Sequence, residues 1–205
     1  IFYHNGGKFI NAKVKDFGFH NEKIHVVFTD NGKFECDKVV ITAGIWSKNL
    51  MQKLGLKIPL EAERGYHVVY KNASILPRNP MMMTVGKFGV TPMKGDLRCA
   101  GTVELGGIKI GPSQGPINLL RRRVAEAFPK MTYDKTEEWL GFRPTAPDSL
   151  PLIGQLKESG VYTAFGHQHI GMTSGPKTGR LISDIINYRS PNINMSFYDP
   201  NRFNS

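Results

Sequence analysis

The stretch Tyr162–Ile186, YTAFGHQHIGMTSGPKTGRLISDII, decides how this chain is read. It runs as a short apolar strand, a loop punctuated by Gly166, Gly171 and Gly175, and an amphipathic helix. Pro176 stands where proline favours a first helical turn, because its fixed φ suits a helix and its missing N–H has no intrahelical partner there. Leu181, Ile182, Ile185 and Ile186 then recur on one face at helical spacing. Such a unit offers free N–H groups and the positive end of a helix dipole to an electron-rich ligand. The same unit also occurs in α/β domains that bind nothing, so on its own it leaves both readings open.

Working outward, Lys38–Leu50 (KVVITAGIWSKNL) begins with an unbroken apolar run, Val39-Val40-Ile41. That pattern suits a strand covered on both faces. Ala43-Gly44 closes it with a small pair that lets a ligand or a neighbouring backbone approach. Ser47 is placed to cap a short helix over residues 48–54. Before this run, residues 1–37 read as a β-meander. A turn at Asn5-Gly6-Gly7 precedes strands at 9–17 and 23–29, and Asp30-Asn31-Gly32 turns into a short return strand at 33–36. Residues 59–110 read as mostly antiparallel sheet, with strands at 65–70, 81–85, 88–92 and 97–104. A helix is expected over 115–130. Strands at 136–142 and 151–153 flank a proline-broken loop at 143–150. The Asn-, Pro- and Ser-bearing residues 188–205 read as a loose tail.

Composition sets the outer limits. With 205 residues, 40% apolar and 21% charged, the chain can bury a sizeable core. No apolar run reaches the roughly 18–20 residues that span a bilayer, and the start lacks a basic-then-apolar leader. These features imply a cytoplasmic protein. The net charge is +10, but the basic residues are scattered. The one run, Arg121-Arg122-Arg123, falls on an expected helix and reads as a solvated face. Without interleaved aromatic and basic residues, nucleic acid is not the expected partner. Cys36 and Cys99 are far apart and belong to no ligand cluster, which argues for reduced thiols and against a metal site.

Four segments together carry a resemblance: Val39–Leu50 (VVITAGIWSKNL), Glu63–Val68 (ERGYHV), Trp139–Gly154 (WLGFRPTAPDSLPLIG) and Phe165–Ile186. In this order and spacing the chain resembles FAD-dependent oxidoreductases of the D-amino-acid oxidase type, above all bacterial D-amino-acid dehydrogenases and glycine or sarcosine oxidases. The resemblance implies an α/β fold, α+β in this stretch. It consists of an incomplete Rossmann-like FAD-binding domain (residues 1–50 and 136–187), an antiparallel-sheet substrate domain (51–135) and the tail 188–205. Members of this family open with a strand, a GxGxxG turn and a helix that hold the FAD pyrophosphate. This sequence shows no such segment, and Gly106–Gly111 (GGIKIG) continues a sheet instead. The chain is therefore expected to be the C-terminal part of a larger enzyme and inactive alone.

The resemblance also assigns chemistry: oxidation of a D-amino acid or related amine by hydride transfer from Cα to flavin N5. Arg143, in the GFRP segment, matches the carboxylate-binding arginine, whose planar fork makes two parallel charged hydrogen bonds. Tyr66 and His67 alternate across a strand, so only one faces the substrate. Tyr66 is the choice, because its hydroxyl could assist the carboxylate. His169 is read as lining the cavity and His167 as orienting the loop. Their i, i+2 spacing has no third ligand in sequence reach, so no metal is expected. On the cofactor side, Gly166, His167, Gly171, Met172 and Thr173 would face the flavin edge, where N–H groups stabilise negative charge. Ala43 and Gly44, with Trp46 just beyond, would lie by the FAD phosphates or ribose, and the Val14 backbone by the adenine. Electrons would pass to a quinone or another acceptor, which for a quinone implies peripheral contact with the inner face of a bacterial membrane. The alternative of another class is a non-catalytic or partner-dependent subunit of the same fold.

Overall fold

The computed structural model describes residues 2–203. The chain divides into two compact units. The first combines the chain up to Leu60 with the chain from Ala146 onward, and the second is Glu61–Thr145.

The first unit holds two three-stranded sheets. One is an antiparallel meander of β1 (Val14–His20), β2 (Lys23–Thr29) and β3 (Gly32–Glu35). Its first strand starts later than residue 9, because the hairpin turn forms at Asn21-Glu22. Both residues there have positive φ, 47° and 63°. That turn sets His20 opposite Lys23 and carries the ladder back to Val14 opposite Thr29. The other sheet has β4 (Val39–Ile41) parallel to β11 (Val161–Phe165), and β11 antiparallel to β10 (Leu152–Gln155). Helix α3 (Gly171–Ile186) packs Leu181 and Ile182 against Ile153 and Tyr162.

Three local expectations change in this unit. Helix α1 (Ser47–Lys53) starts at Ser47 itself, whose hydroxyl caps nothing and is buried with no hydrogen-bond partner among the described residues. Helix α3 begins at Gly171, so Pro176 lies inside it. The carbonyl that its missing N–H would have met belongs to Met172, at the exposed end of the helix, where water can satisfy it. Finally, the segment expected to be a loose tail is docked. Met195 and Tyr198 pack on the Ile153–Leu181 cluster. Arg202 clamps Asp148 at 2.7 Å and the Leu150 carbonyl at 2.8 Å.

The second unit is one antiparallel sheet with helix α2 (Gln114–Ala127) on one face. Its strands are β5 (Glu61–Tyr70), β6 (Met81–Met83), β7 (Phe88–Pro92), β8 (Leu97–Leu105) and β9 (Thr136–Thr145), in the order β6-β7-β8-β5-β9. Ile117, Leu120 and Val124 recur at helical spacing and close over Tyr66, Val68, Phe88, Val90 and Leu97. Residues 136–145 pair with the whole of β5, from Glu61–Thr145 to Tyr70–Thr136. This ladder puts them in the second unit rather than at the start of a return to the first, while residues 51–60 fold with the first.

Candidate functional site

In the first unit, the parallel pairing of β4 and β11 matters most. Ile41 lies beside Thr163, so both strands deliver the chain to the same sheet edge. Ligands of open parallel sheets bind at such carboxyl-terminal edges. Beyond β4 come exposed Ala43 and then Gly44, at φ 55°, with Ile45 buried as an anchor and Trp46 half exposed. Beyond β11 comes Gly166, at φ 92°, a left-handed turn that side chains resist. His167 follows, and its Nε2 lies 2.9 Å from Thr178 Oγ1 on α3. Burial lowers the His167 pKa below that of an ordinary histidine. This histidine therefore ties the loop to the helix, as a neutral ring.

The Ile170 N–H bonds to the His167 carbonyl at 3.0 Å, and α3 starts immediately afterwards. Thr173 Oγ1 is turned back onto the Ile170 carbonyl at 3.0 Å, so its hydroxyl serves the helix end. Met172 is 93% exposed. Side chains added at Gly175 or Gly179 would meet nothing within 4 Å, so that helix face is bare backbone. Ala43, Gly44, Gly166, His167, Gly171, Met172 and Thr173 thus gather around the ends of two parallel strands and the start of one helix. His169 is an exposed residue of the same loop. Val14 is not in this group: it opens β1 in the other sheet, opposite Thr29 and beside a bulge.

The second unit carries Arg143. Alternation along β5 sends Ala62, Arg64, Tyr66, Val68 and Tyr70 to the α2 face, all buried. Glu63, Gly65, His67 and Val69 take the opposite face, paired across to Arg143, Gly141, Trp139 and Glu137 of β9. Arg143 and Tyr66 are therefore on opposite sides of the sheet. The expected partnership of these two on one carboxylate is not made, and His67 is the member of the pair that shares Arg143's face.

The Arg143 guanidinium lies down across Gly65, where an added Cβ would sit 2.5 Å from Cζ. Its Nη1 is buried without a hydrogen-bond partner among the described residues. A charged donor left in that state is primed for an anion. One row along, the His67 and Trp139 rings stack at 4.8 Å with 14° between planes. Burial, reinforced by Arg98, lowers the His67 pKa.

Tyr66 instead belongs to a buried network. Its hydroxyl donates to Glu104 Oε2 at 2.6 Å and receives Arg64 Nη2 at 3.0 Å and the Ser113 N–H at 3.2 Å. Arg64, 1% exposed, also reaches the Ile110 carbonyl at 2.8 Å and the Gly111 carbonyl. The Tyr66 hydrogen bond, then those from Ser113 and Arg64, hold the Glu104 carboxyl below its ordinary pKa against the cost of desolvation. This network fastens the turn between β8 and α2. The His67–Trp139 stack and the paired glycines 65 and 141 were not singled out from sequence. The alternation on β5 would have exposed them once the α2 face was known.

A parallel strand pair with a glycine turn and a helix start at its carboxyl edge, in one chain with an antiparallel sheet that carries an arginine with a buried, unpartnered donor among the described residues, defines a nucleotide-binding type of α/β protein with a second, β-rich unit. Residues 2–185 match the family model described as DAO, FAD dependent oxidoreductase. The chain belongs to this family. It is 36% identical over 204 residues to a D-amino-acid oxidase of Bradyrhizobium diazoefficiens, covering 97% of this chain and 48% of that protein. It is 33% identical over 179 residues to a D-amino acid dehydrogenase of Vibrio vulnificus, covering 86% and 43%. Among solved structures, glycine oxidase from Geobacillus kaustophilus superposes with a TM-score of 0.82 at 24% identity, over 95% of this chain and 53% of that one. L-proline dehydrogenase from P. horikoshii gives 0.84 at 24% identity, over 98% and 56%. These two likenesses establish the fold. The chain spans about half the length of the curated relatives it matches. Among the described residues, no helix is long and apolar enough to cross a membrane, and no group of three or more His, Cys, Asp and Glu side chains could hold a metal ion.

Proposed function

We propose that this chain contributes the amino-acid carboxylate site and part of the FAD site of an enzyme that oxidatively deaminates a D-amino acid or a related amine. The observation that carries the reading is Arg143, laid on a glycine with Nη1 buried and without a hydrogen-bond partner among the described residues. Its fork takes the substrate carboxylate by two parallel hydrogen bonds and so orients Cα. FAD, when bound, would supply the hydride acceptor for Cα. The Ala43-Gly44 turn, Gly166 and the bare first turns of α3 fit such a group. The backbone at Gly44 and on the first turns of α3 can approach it closely, Gly166 turns the chain from β11 toward them, and the N–H groups of Gly171, Met172 and Thr173 favour negative charge. His167 holds this loop on α3 through Thr178, and His169 lines the substrate side of the loop. The oxidised product is an imine, which water hydrolyses to a carbonyl compound and a free amine, a keto acid and ammonia in the case of a primary D-amino acid. Electrons then pass to a quinone or another acceptor.

The test is anaerobic mixing of the FAD-loaded holoenzyme with D-amino acids. The yellow colour should bleach, and Arg143→Ala should slow bleaching severely while FAD stays bound. Unchanged bleaching in Arg143→Ala would remove the carboxylate role.

A further inference from the structure

Gly65 and Gly141 face each other directly across β5 and β9. Each is overlain by a side chain from a neighbouring row. A Cβ on Gly65 would strike the Arg143 guanidinium, and a Cβ on Gly141 would strike the Trp139 ring, 2.9 Å from Cζ2 and closer to Cη2. Guanidinium and indole thus converge on one pair of bare residues from opposite directions. Paired residues in an antiparallel ladder have Cα atoms about 4.5–5.5 Å apart. A flat cation and a flat aromatic are therefore held side by side about one such spacing apart. The indole is backed by His67, and Trp139 is still 55% exposed. Its outer surface is available for contact.

We propose that Trp139 is a specificity-determining residue of the site, selecting amino acids whose side chain ends in an aromatic ring. The proposal rests on the carboxylate role of Arg143. A carboxylate on the guanidinium leaves the substrate side chain beside the indole, and the span matches that from carboxylate to ring in a phenylalanine-like skeleton. The lowered His67 pKa keeps the backing ring neutral at neutral pH, so the indole is backed by an uncharged ring. The two glycines are positioning residues, since any Cβ there lifts the overlying group.

The experiment compares inhibition of the FAD-loaded holoenzyme by 3-phenylpropionate and by propionate, two unreactive carboxylates that differ only in the ring. The native enzyme should bind 3-phenylpropionate more tightly. Trp139→Ala should reduce that preference about three- to tenfold, the size of one aromatic contact, with little change for propionate. Gly141→Ala displaces the indole without removing it and should reduce the preference in the same direction. It also guards against a variant that fails to fold. Equal inhibition by the two probes, or a preference that survives both variants, overturns the proposal. If Arg143→Ala changes inhibition by neither probe, the carboxylate reading falls and this proposal falls with it. If Arg143→Ala weakens both while Trp139→Ala leaves their ratio intact, only the aromatic proposal is lost.

Discussion

Tyr66→Phe separates a structural tyrosine from a substrate-binding one. The substitution removes only a hydroxyl, from a side chain that is 1% exposed on the α2 face. That hydroxyl donates to Glu104 at 2.6 Å and accepts from Arg64 at 3.0 Å and from Ser113 at 3.2 Å. Two of these partners are charged, and hydrogen bonds to charged groups contribute about 1.5–3 kcal/mol each in mutational series. Arg64 keeps its Glu104 contact at 2.8 Å and its backbone carbonyls, so part of the loss is recovered. The expected net cost is about 2 kcal/mol. In a chain of this size that lowers Tm by about 4–8 °C.

The effect carries a pH signature. Hydrogen bonding depresses the Glu104 pKa below its ordinary 4.5, and the first cause is Tyr66. A depressed carboxyl stabilises the fold above its unfolded pKa and loses that contribution as pH falls through the folded value. The native protein's advantage over Tyr66→Phe should therefore be full above about pH 4.5 and shrink below it. Thermal melts from pH 7 down to pH 3 measure this, alongside kcat/KM of the holoenzyme at pH 7. A collapse of kcat/KM with Tm unchanged would mean that the hydroxyl serves substrate rather than the turn between β8 and α2.

Other consequences are simpler to read. Ser47→Ala should raise stability by about 1 kcal/mol, because it removes a buried hydroxyl that has no partner among the described residues; a urea midpoint lowered by the change would contradict this. Gly101→Ala should cost about 1–3 kcal/mol, because its Cβ would lie 2.5 Å from Phe88 Cα and 2.7 Å from the Lys87 carbonyl, both backbone atoms of the neighbouring strand region. Equal urea midpoints would show that the strands can shift apart freely. His67 and His167 both have pKa values below the ordinary 6.5, through burial. Unfolding lets each take up a proton, so stability should fall as pH drops below about 6.5. Replacing both by Gln should flatten the melting profile between pH 6.5 and 5, and an unchanged slope there would mean that these rings titrate normally.

Local patterns were legible where one face decides the outcome. Val39-Val40-Ile41 announced a strand, and it is the parallel neighbour of β11, but only Ile41 is buried and Val40 stays exposed, so one of its two faces is not covered. Leu181 and Ile182 announced the packed face of α3. The GFRP segment drew attention to Arg143, whose guanidinium lies across Gly65, while its carboxylate role is a proposal. Tyr66 and His67 were harder, because the face that β5 buries depends on where α2 lies. Nothing local distinguishes Arg64-Tyr66-Val68 from Gly65-His67-Val69, and the buried Arg64 masks the apolar side. Pro176 misplaced the start of α3 because proline at an exposed helix end loses a hydrogen bond that water replaces. The docking of residues 195–202 depends on partners at Asp148, Ile153 and Tyr162, distant in sequence. The floor formed by Gly65 and Gly141 depends on the register between two strands, which neither strand encodes alone.

In the proposed function Arg143 reads the substrate carboxylate. The direct measurement is kcat/KM of the FAD-loaded holoenzyme for a D-amino acid and for the amine that lacks only its carboxylate, before and after Arg143→Ala. The native enzyme should prefer the amino acid strongly, and Arg143→Ala should erase most of that preference, by about 30-fold or more, as expected for removing one partner of a hydrogen-bonded charge pair. A preference that survives Arg143→Ala undiminished would mean that another group binds the carboxylate.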